Sequence, residues 1–304
     1  MITGMGAAQL NILVSHHSAF YSPLIATIAA GFLRKQGLEA TYGVLAPGET
    51  SREAVASGRA HLVQSAVSSS WGPMDKGKTN LPVHFAQINT RDGFFLVARA
   101  PDPEFHMRKL EGRPVLADHA LQPLTMLRFA VIHNGGDWSR VERIDAGGPE
   151  AIAESFRQGR ADYAHLQGPA PQQIERDGQG AIVASVGALM PPVAFSSLVA
   201  SREWLRTTEA LAFMAAYRKA RSWVRSAAPE VVAREEQTFF PGVAPEALAA
   251  SIEAYQKLGC WAGDPVIPRH LYDQALRVFA NAGHIRHPHT YEEVVTGPPV
   301  ELAF

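Results

Sequence analysis

The chain carries one cysteine, Cys260, in 304 residues. A single thiol excludes an intramolecular disulfide, and its place in Lys257-Leu-Gly-Cys-Trp261, late in a helical pattern, reads as a packed small hydrophobe rather than a nucleophile. No run approaches the roughly 20 apolar residues of a membrane span, so no membrane insertion is expected. Neither sign of charge dominates: 28 Lys and Arg against 29 Asp and Glu leave a formal −1, which gives nucleic acid or an anionic surface no hold. A Gly-x-Ser-x-Gly nucleophile elbow is missing. Gly135-Gly136 and Gly147-Gly148-Pro149 lack the spacing of a dinucleotide loop, so no nucleotide cofactor is expected. The acidic residues form no evident catalytic pair. Met1 to Gln9 has neither the basic nor the long apolar segment of a secretory signal. Two expectations follow from that start: a cytoplasmic protein, or an exported one whose signal has been removed.

What the chain does hold is enough apolar residue, 46% against 19% charged, for a globular protein, at a length that favours two lobes. Leu10 to Leu45 is the best-punctuated stretch. An apolar strand, Leu10 to Val14, runs into the polar and aromatic Ser15 to Tyr21. Ser22 is placed to cap a helix and Pro23 suits its first position, where no backbone N–H is needed. Leu24, Ile28 and Phe32 mark a buried stripe, Arg34 and Lys35 suit the negative last turn, and Gly37 suits a left-handed end. Leu38 to Leu45 then reads as a second strand. Strand, polar loop and helix start together make a ligand site at the carboxyl end of a parallel sheet.

Downstream, Thr50-x-x-Glu53 has capping-box spacing, and strands are expected over 61–65, 83–88, 93–98, 115–117, 141–144, 162–166, 181–185 and 195–200. Helices are expected before Asn134-Gly135-Gly136, over 150–158, and through most of the chain beyond residue 201. Ser65 to Trp71 reads as a hydroxyl-rich loop and Gly72 to Asn80 as a polar connection. Ala56-Ser-Gly-Arg-Ala-His-Leu62 and Arg157-Gln-Gly-Arg-Ala-Asp-Tyr163 each follow a short helix and lead into a strand. Their shared strand–turn–helix–strand setting predicts two similarly built α/β lobes.

The chemistry-bearing candidates lie at strand ends. Ser15, Ser65, Ser68 and Ser69 offer hydroxyls to a bound solute, alongside Ser18 and Ser70. His16 and His17 are adjacent on an extended segment and so point apart, which suits one histidine in a cleft better than a shared metal; ligation would need His284, His287 and His289 to fold back to them. Phe20, Tyr21, Trp71, Phe94 and Phe195 can stack on a flat ligand, Trp71 being the best placed for it. Asp118 stands at a strand end, either as a ligand contact or as a cap for the next helix.

Leu10-Asn-Ile-Leu-Val14, Ser22-Pro-Leu-Ile-Ala26, Gly31-Phe-Leu-Arg-Lys-Gln-Gly-Leu-Glu39, Ser57-Gly-Arg-Ala60, Leu110-Glu-Gly-Arg-Pro-Val115 and Gly159-Arg-Ala-Asp162 occur in an order that resembles the type II periplasmic-binding-protein fold. The resemblance is to the solute-binding proteins of nitrate, sulfonate and taurine importers and of thiamin-pyrimidine supply (the NMT1/THI5-like family), over roughly residues 10–295. It implies two α/β lobes, residues 1–95 with 196–304 and residues 96–195, joined by crossings at 93–99 and 193–200. It implies a small polar or anionic organic ligand between them, an importer permease as partner, a periplasmic location, and no metal, cofactor or catalysis. It also places contacts at Ser15–Tyr21, Ser65–Trp71, Asn89, Asp118–Gln122 and Gln167. The alternative is a cytoplasmic enzyme on the same fold, such as a desulfinase, a dehydratase or a thiamin-pyrimidine synthase. The desulfinase's first-lobe cysteine and the synthase's cysteine-rich metal motif are absent here. His61 departs from the pattern, standing where Asp162 keeps the acidic residue in the second half.

Overall fold

In a computed structural model, which describes residues 7–300, ten strands form two five-stranded mixed sheets. The strands are β1 (Ala8–Val14), β2 (Leu38–Val44), β3 (Leu62–Ser65), β4 (Val83–Asn89), β5 (Phe94–Ala98), β6 (Pro114–Leu116), β7 (Glu142–Ile144), β8 (Tyr163–Gln167), β9 (Ala181–Ser185) and β10 (Ser196–Ala200). The helices are α1 (Ser22–Ala29), α2 (Ser51–Ala56), α3 (Ser68–Asp75), α4 (Leu121–His133), α5 (Pro149–Arg157), α6 (Ala170–Arg176), α7 (Thr208–Ser226), α8 (Pro229–Glu236), α9 (Pro245–Leu258), α10 (Arg269–Asn281) and α11 (Tyr291–Val294).

The sheets share one plan. The first runs β2-β1-β3-β10-β4 and the second β7-β6-β8-β5-β9, each with three parallel strands followed by an antiparallel one. The antiparallel strand in each sheet, β10 or β5, is the one the chain enters on coming from the other sheet. The short repeat sits at equivalent places: Gly58 and Gly159 take left-handed turns after α2 and α5, and β3 and β8 follow. At the departure from that pattern, His61 Nδ1 accepts a hydrogen bond from Asn11 N–H, whereas Asp162 pairs with Arg113.

The passages between sheets are residues 90–93 and 186–195; the crossings expected at 93–99 and 193–200 are largely β5 and β10 themselves. The two passages are bound together, with Val193 N–H and Phe195 N–H donating to the carbonyls of Thr90 and Asn89. Gly187 lies so close to Asp92 that a Cβ there would meet the Asp92 carbonyl. The helix expected through Gln36 stops at Ala29, because Gly31 turns left-handed and Leu33 N–H reaches back to the Thr27 carbonyl. Ser22 is the first helical residue rather than the cap; its hydroxyl bridges the Ala19 carbonyl and the Glu236 carboxyl. The hydroxyl-rich loop and polar connection expected over 65–80 contain α3, whose Trp71 is buried against Tyr272 and Phe279. The capping box at Thr50 and Glu53 forms as its spacing predicts.

Candidate functional site

A cavity of about 1070 Å³ opens at the carboxyl ends of parallel strands from both sheets. The first sheet supplies Ser15 and His16 after β1, Thr50 to Arg52 at the start of α2, and Ser65 to Ser70 from the end of β3 into α3. The second supplies Asp118 to Pro123 after β6, Asp145 to Pro149 after β7, and Gln167 closing β8. Helix starts gather here because a right-handed β–α connection leaves each helix N-terminus beside the end of its strand.

Two side-chain contacts tie the walls together. His16 Nε2 donates to Gln167 Oε1 at 2.6 Å, and Ser68 Oγ donates to Gln122 Oε1 at 2.6 Å. Gln122 Nε2 then donates to the Phe195 carbonyl, also at 2.6 Å. Beneath them, Ser18 Oγ donates to the Gly168 carbonyl, and Gly168 N–H to the Tyr255 hydroxyl. Gly168 is tightly packed: a Cβ there would run into the Ser251 hydroxyl.

The first wall is a chain of hydroxyls. Ser65 Oγ donates its one proton to Ser69 Oγ, so Ser51, 3.1 Å from Ser65, is the donor in that contact. The Ser69 proton is thereby left free at the cavity surface. Ser15 spends its proton on Gln64 Oε1 at 2.7 Å. On the opposite wall, Asp118 Oδ1 accepts from Ala120 N–H, turning the chain into α4. Its Oδ2 has no hydrogen-bond partner among the described residues. The Gln167 amide nitrogen is buried in the wall without one as well. Tyr21 lines the cavity from below, and burial pushes its phenol well above the usual range, so it stays protonated.

Ser15, His16, Tyr21, Ser65, Ser68, Ser69, Asp118, Gln122, Gln167 and Phe195 therefore come together, while four expected contacts do not. His17 turns away, its ring 4.3 Å from that of Phe240 and its Nδ1 3.1 Å from the Tyr42 hydroxyl; burial lowers its pKa. Phe20 is in the core between Phe195 and Tyr255, and Asn89 spends its amide on the Phe20 carbonyl. Trp71, fully buried, donates its indole N–H to the Tyr272 hydroxyl. Side-chain direction decides all four, and adjacent positions on an extended segment face opposite ways.

Sequence reasoning passed over Arg52, Lys76, Lys78 and Asp145, which reach the cavity rim. The exclusion of a nucleotide loop does not hold on sequence alone, since Gly72-Pro-Met-Asp-Lys-Gly-Lys-Thr79, with its Gly-Lys-Thr, has the residue spacing of a phosphate-binding loop. That loop joins a strand to a following helix, whereas Gly72 to Asp75 here lie inside α3 and Gly77 follows its end. The match is a coincidence of spacing. Among the described residues, no three His, Cys, Asp or Glu stand together as a metal site. His289, expected near the first loop if a metal were held, pairs with Asp75 at 2.9 Å.

Two α/β lobes with a cavity between them define the two-lobed architecture of the type II periplasmic binding proteins. The chain belongs to the NMT1/THI5 like family, whose model matches residues 19–230. It is 25% identical over 286 residues to YtlA of Bacillus subtilis (strain 168), an alignment covering 92% of this chain and 85% of that one. Its fold is similar to that of the periplasmic aliphatic sulphonate binding protein SsuA from Escherichia coli, with a TM-score of 0.71 at 13% identity over 95% of this chain and 97% of that one. It is also similar to the alkanesulfonate-binding protein SsuA from Xanthomonas axonopodis pv. citri bound to MOPS, with a TM-score of 0.70 at 14% identity over 97% and 100%.

Proposed function

We propose that this protein is a non-catalytic solute-binding component of an ABC importer, taking a small polar or anionic organic molecule between its lobes for delivery to the permease. Residues 7–89 with 196–300 form one lobe and 94–185 the other, two residues short of the expected boundary at 95 because β5 begins at Phe94, and the working location is the periplasm. The observation that carries the reading is the cavity itself, which draws its polar groups from both sheets. A ligand touching Ser69 on one side and Asp118 or Gln167 on the other stabilises the closed arrangement over any open one, which is the differential contact that closure requires. Membership of the family and similarity in fold to two sulfonate-binding proteins support it. The lone cysteine is buried, which raises its thiol pKa far above the usual range and keeps it un-ionised.

The test is a thermal-shift screen of sulfonates, carboxylates, pyrimidines and aromatic acids, followed by mass spectrometry of whatever stabilises the protein. The expected result is a saturable stabiliser recovered unchanged. Chemical conversion of that compound would overturn the reading in favour of an enzyme.

A further inference from the structure

The formal charges on the cavity wall are sorted by lobe. Its three cations, Arg52, Lys76 and Lys78, all come from elements of the first sheet, and its two carboxylates, Asp118 and Asp145, all follow strands of the second. Lys76 and Lys78 are exposed and pair with no carboxylate among the described residues; Arg52 has only its neighbour Glu53, at 3.8 Å. The free Ser69 hydroxyl proton adds a donor to that side. On the other side Asp145 lies 3.9 Å from His119, while Asp118, only 9% exposed, keeps Oδ2 for something in the cavity. Beside it the amide nitrogen of Gln167, 6% exposed, is unpartnered. The same wall also carries the apolar side chains Leu45, Leu81, Leu121, Pro149 and Val199.

We propose that the ligand is an extended organic zwitterion, its anionic head held by the cationic first-lobe wall and its ammonium or amidinium end by Asp118. This rests on the solute-binding reading and names the ligand class within it. Three features carry it. A single anion has no use for a carboxylate in the cavity, and a desolvated like charge is costly. A cavity of about 1070 Å³ is of the size that encloses drug-sized molecules, far beyond an inorganic oxyanion. The apolar side chains on the same wall ask for a carbon body, and the sorting of the charges by lobe asks for that body to carry them apart.

The experiment is titration calorimetry with three biphenyls: one bearing a carboxylate at one end and an aminomethyl group at the other, and two that lack one or the other group. Nitrate and methanesulfonate serve as small anions. The expected result is that the zwitterion binds about tenfold or more tighter than either single-headed compound. Asp118→Asn, which preserves the turn-forming acceptor, removes most of that advantage and leaves the amine-free acid within about twofold. Lys76→Gln with Lys78→Gln weakens both acids and spares the amine. Equal binding of the zwitterion and the amine-free acid overturns the proposal, and so does binding of nitrate or methanesulfonate alone; either result leaves a solute-binding protein. Conversion of a bound biphenyl overturns both readings.

Discussion

Gln167, at the last position of β8, accepts a hydrogen bond from His16 Nε2 across the cavity, 2.6 Å away. With Nε2 as the donor, the proton sits on the nitrogen facing the second lobe, and the first loop is tied to the opposite wall. Gln167→Ala removes that tie together with the buried amide nitrogen. A net hydrogen bond is worth about 0.5–1.5 kcal/mol, so affinity for the stabilising solute should fall about two- to tenfold. Small-angle scattering should show a larger radius of gyration for the variant at subsaturating ligand. Unchanged affinity would remove this pair from the binding machinery.

Why the strands were legible, and part of the site was not, follows from how local each signal is. The β runs are short and apolar and are bounded by Gly, Pro and polar clusters, so Leu10 to Val14 or Ala181 to Ser185 stand out without tertiary knowledge. Gly72-Pro73 reads as a break, yet α3 continues through it because burying Trp71 against Tyr272 and Phe279 outweighs the weak local propensity. Ser65, Ser69 and His16 were legible as ends of strands and starts of helices. Phe20 and Trp71 occupy the same segments but face inward, a choice made by partners such as Gly93 and Tyr272, 73 and 201 positions away. Arg52, Lys76 and Asp145 carry no local mark at all; they matter because a helix start, a helix end and a loop distant in sequence meet at one rim.

Gly93 illustrates how tightly the passage between sheets is packed. A Cβ at that position would run into the ring of Phe20, itself fully buried. Gly93→Ala should therefore destabilise the protein by about 1–3 kcal/mol through overpacking, read as a lower urea midpoint with an unchanged slope. Gly93→Ala combined with Phe20→Leu should recover part of the loss. A neutral single substitution would show that the passage yields more easily than its contacts imply.

Trp71 separates a core role from a ligand role. Its indole N–H donates to Tyr272 at 3.0 Å, and the Tyr272 hydroxyl donates on to the carbonyl of His289, so the C-terminal segment is held through it. Trp71→Phe leaves a buried acceptor without its donor and a gap beside Phe279, for a loss of about 1–3 kcal/mol in unfolding free energy. Solute affinity should stay within about twofold, since the ring does not line the cavity. A large drop in affinity at unchanged stability would restore Trp71 to the site.

Asp92 gives the pH prediction, and the sign depends on its burial. It lies in the 90–93 passage with no exposed surface; Oδ1 accepts from Phe94 N–H at 2.7 Å and Oδ2 is unpartnered. Burial raises its pKa from 3.8 to about 7. Between those values the folded chain holds a proton that the unfolded chain has released, so the carboxyl's contribution falls as pH rises through the window. Asp92→Asn keeps an acceptor for Phe94 N–H and has nothing to ionise. Relative to the native protein, the variant should gain stability as pH rises from 3.8, by up to about 4 kcal/mol, and level off above about 7. The native profile alone would not show this. His84 and His165, both fully buried with pKa values lowered from 6.5 to about 3, pull the other way, because there the unfolded chain binds the extra proton and stability is lost as pH falls. Both proteins carry those histidines, so the difference between their urea titrations isolates Asp92. A difference that stays flat across the window would mean that Asp92 is ionised inside the fold, and the passage between the sheets would then have to supply a positive partner that its contacts do not show.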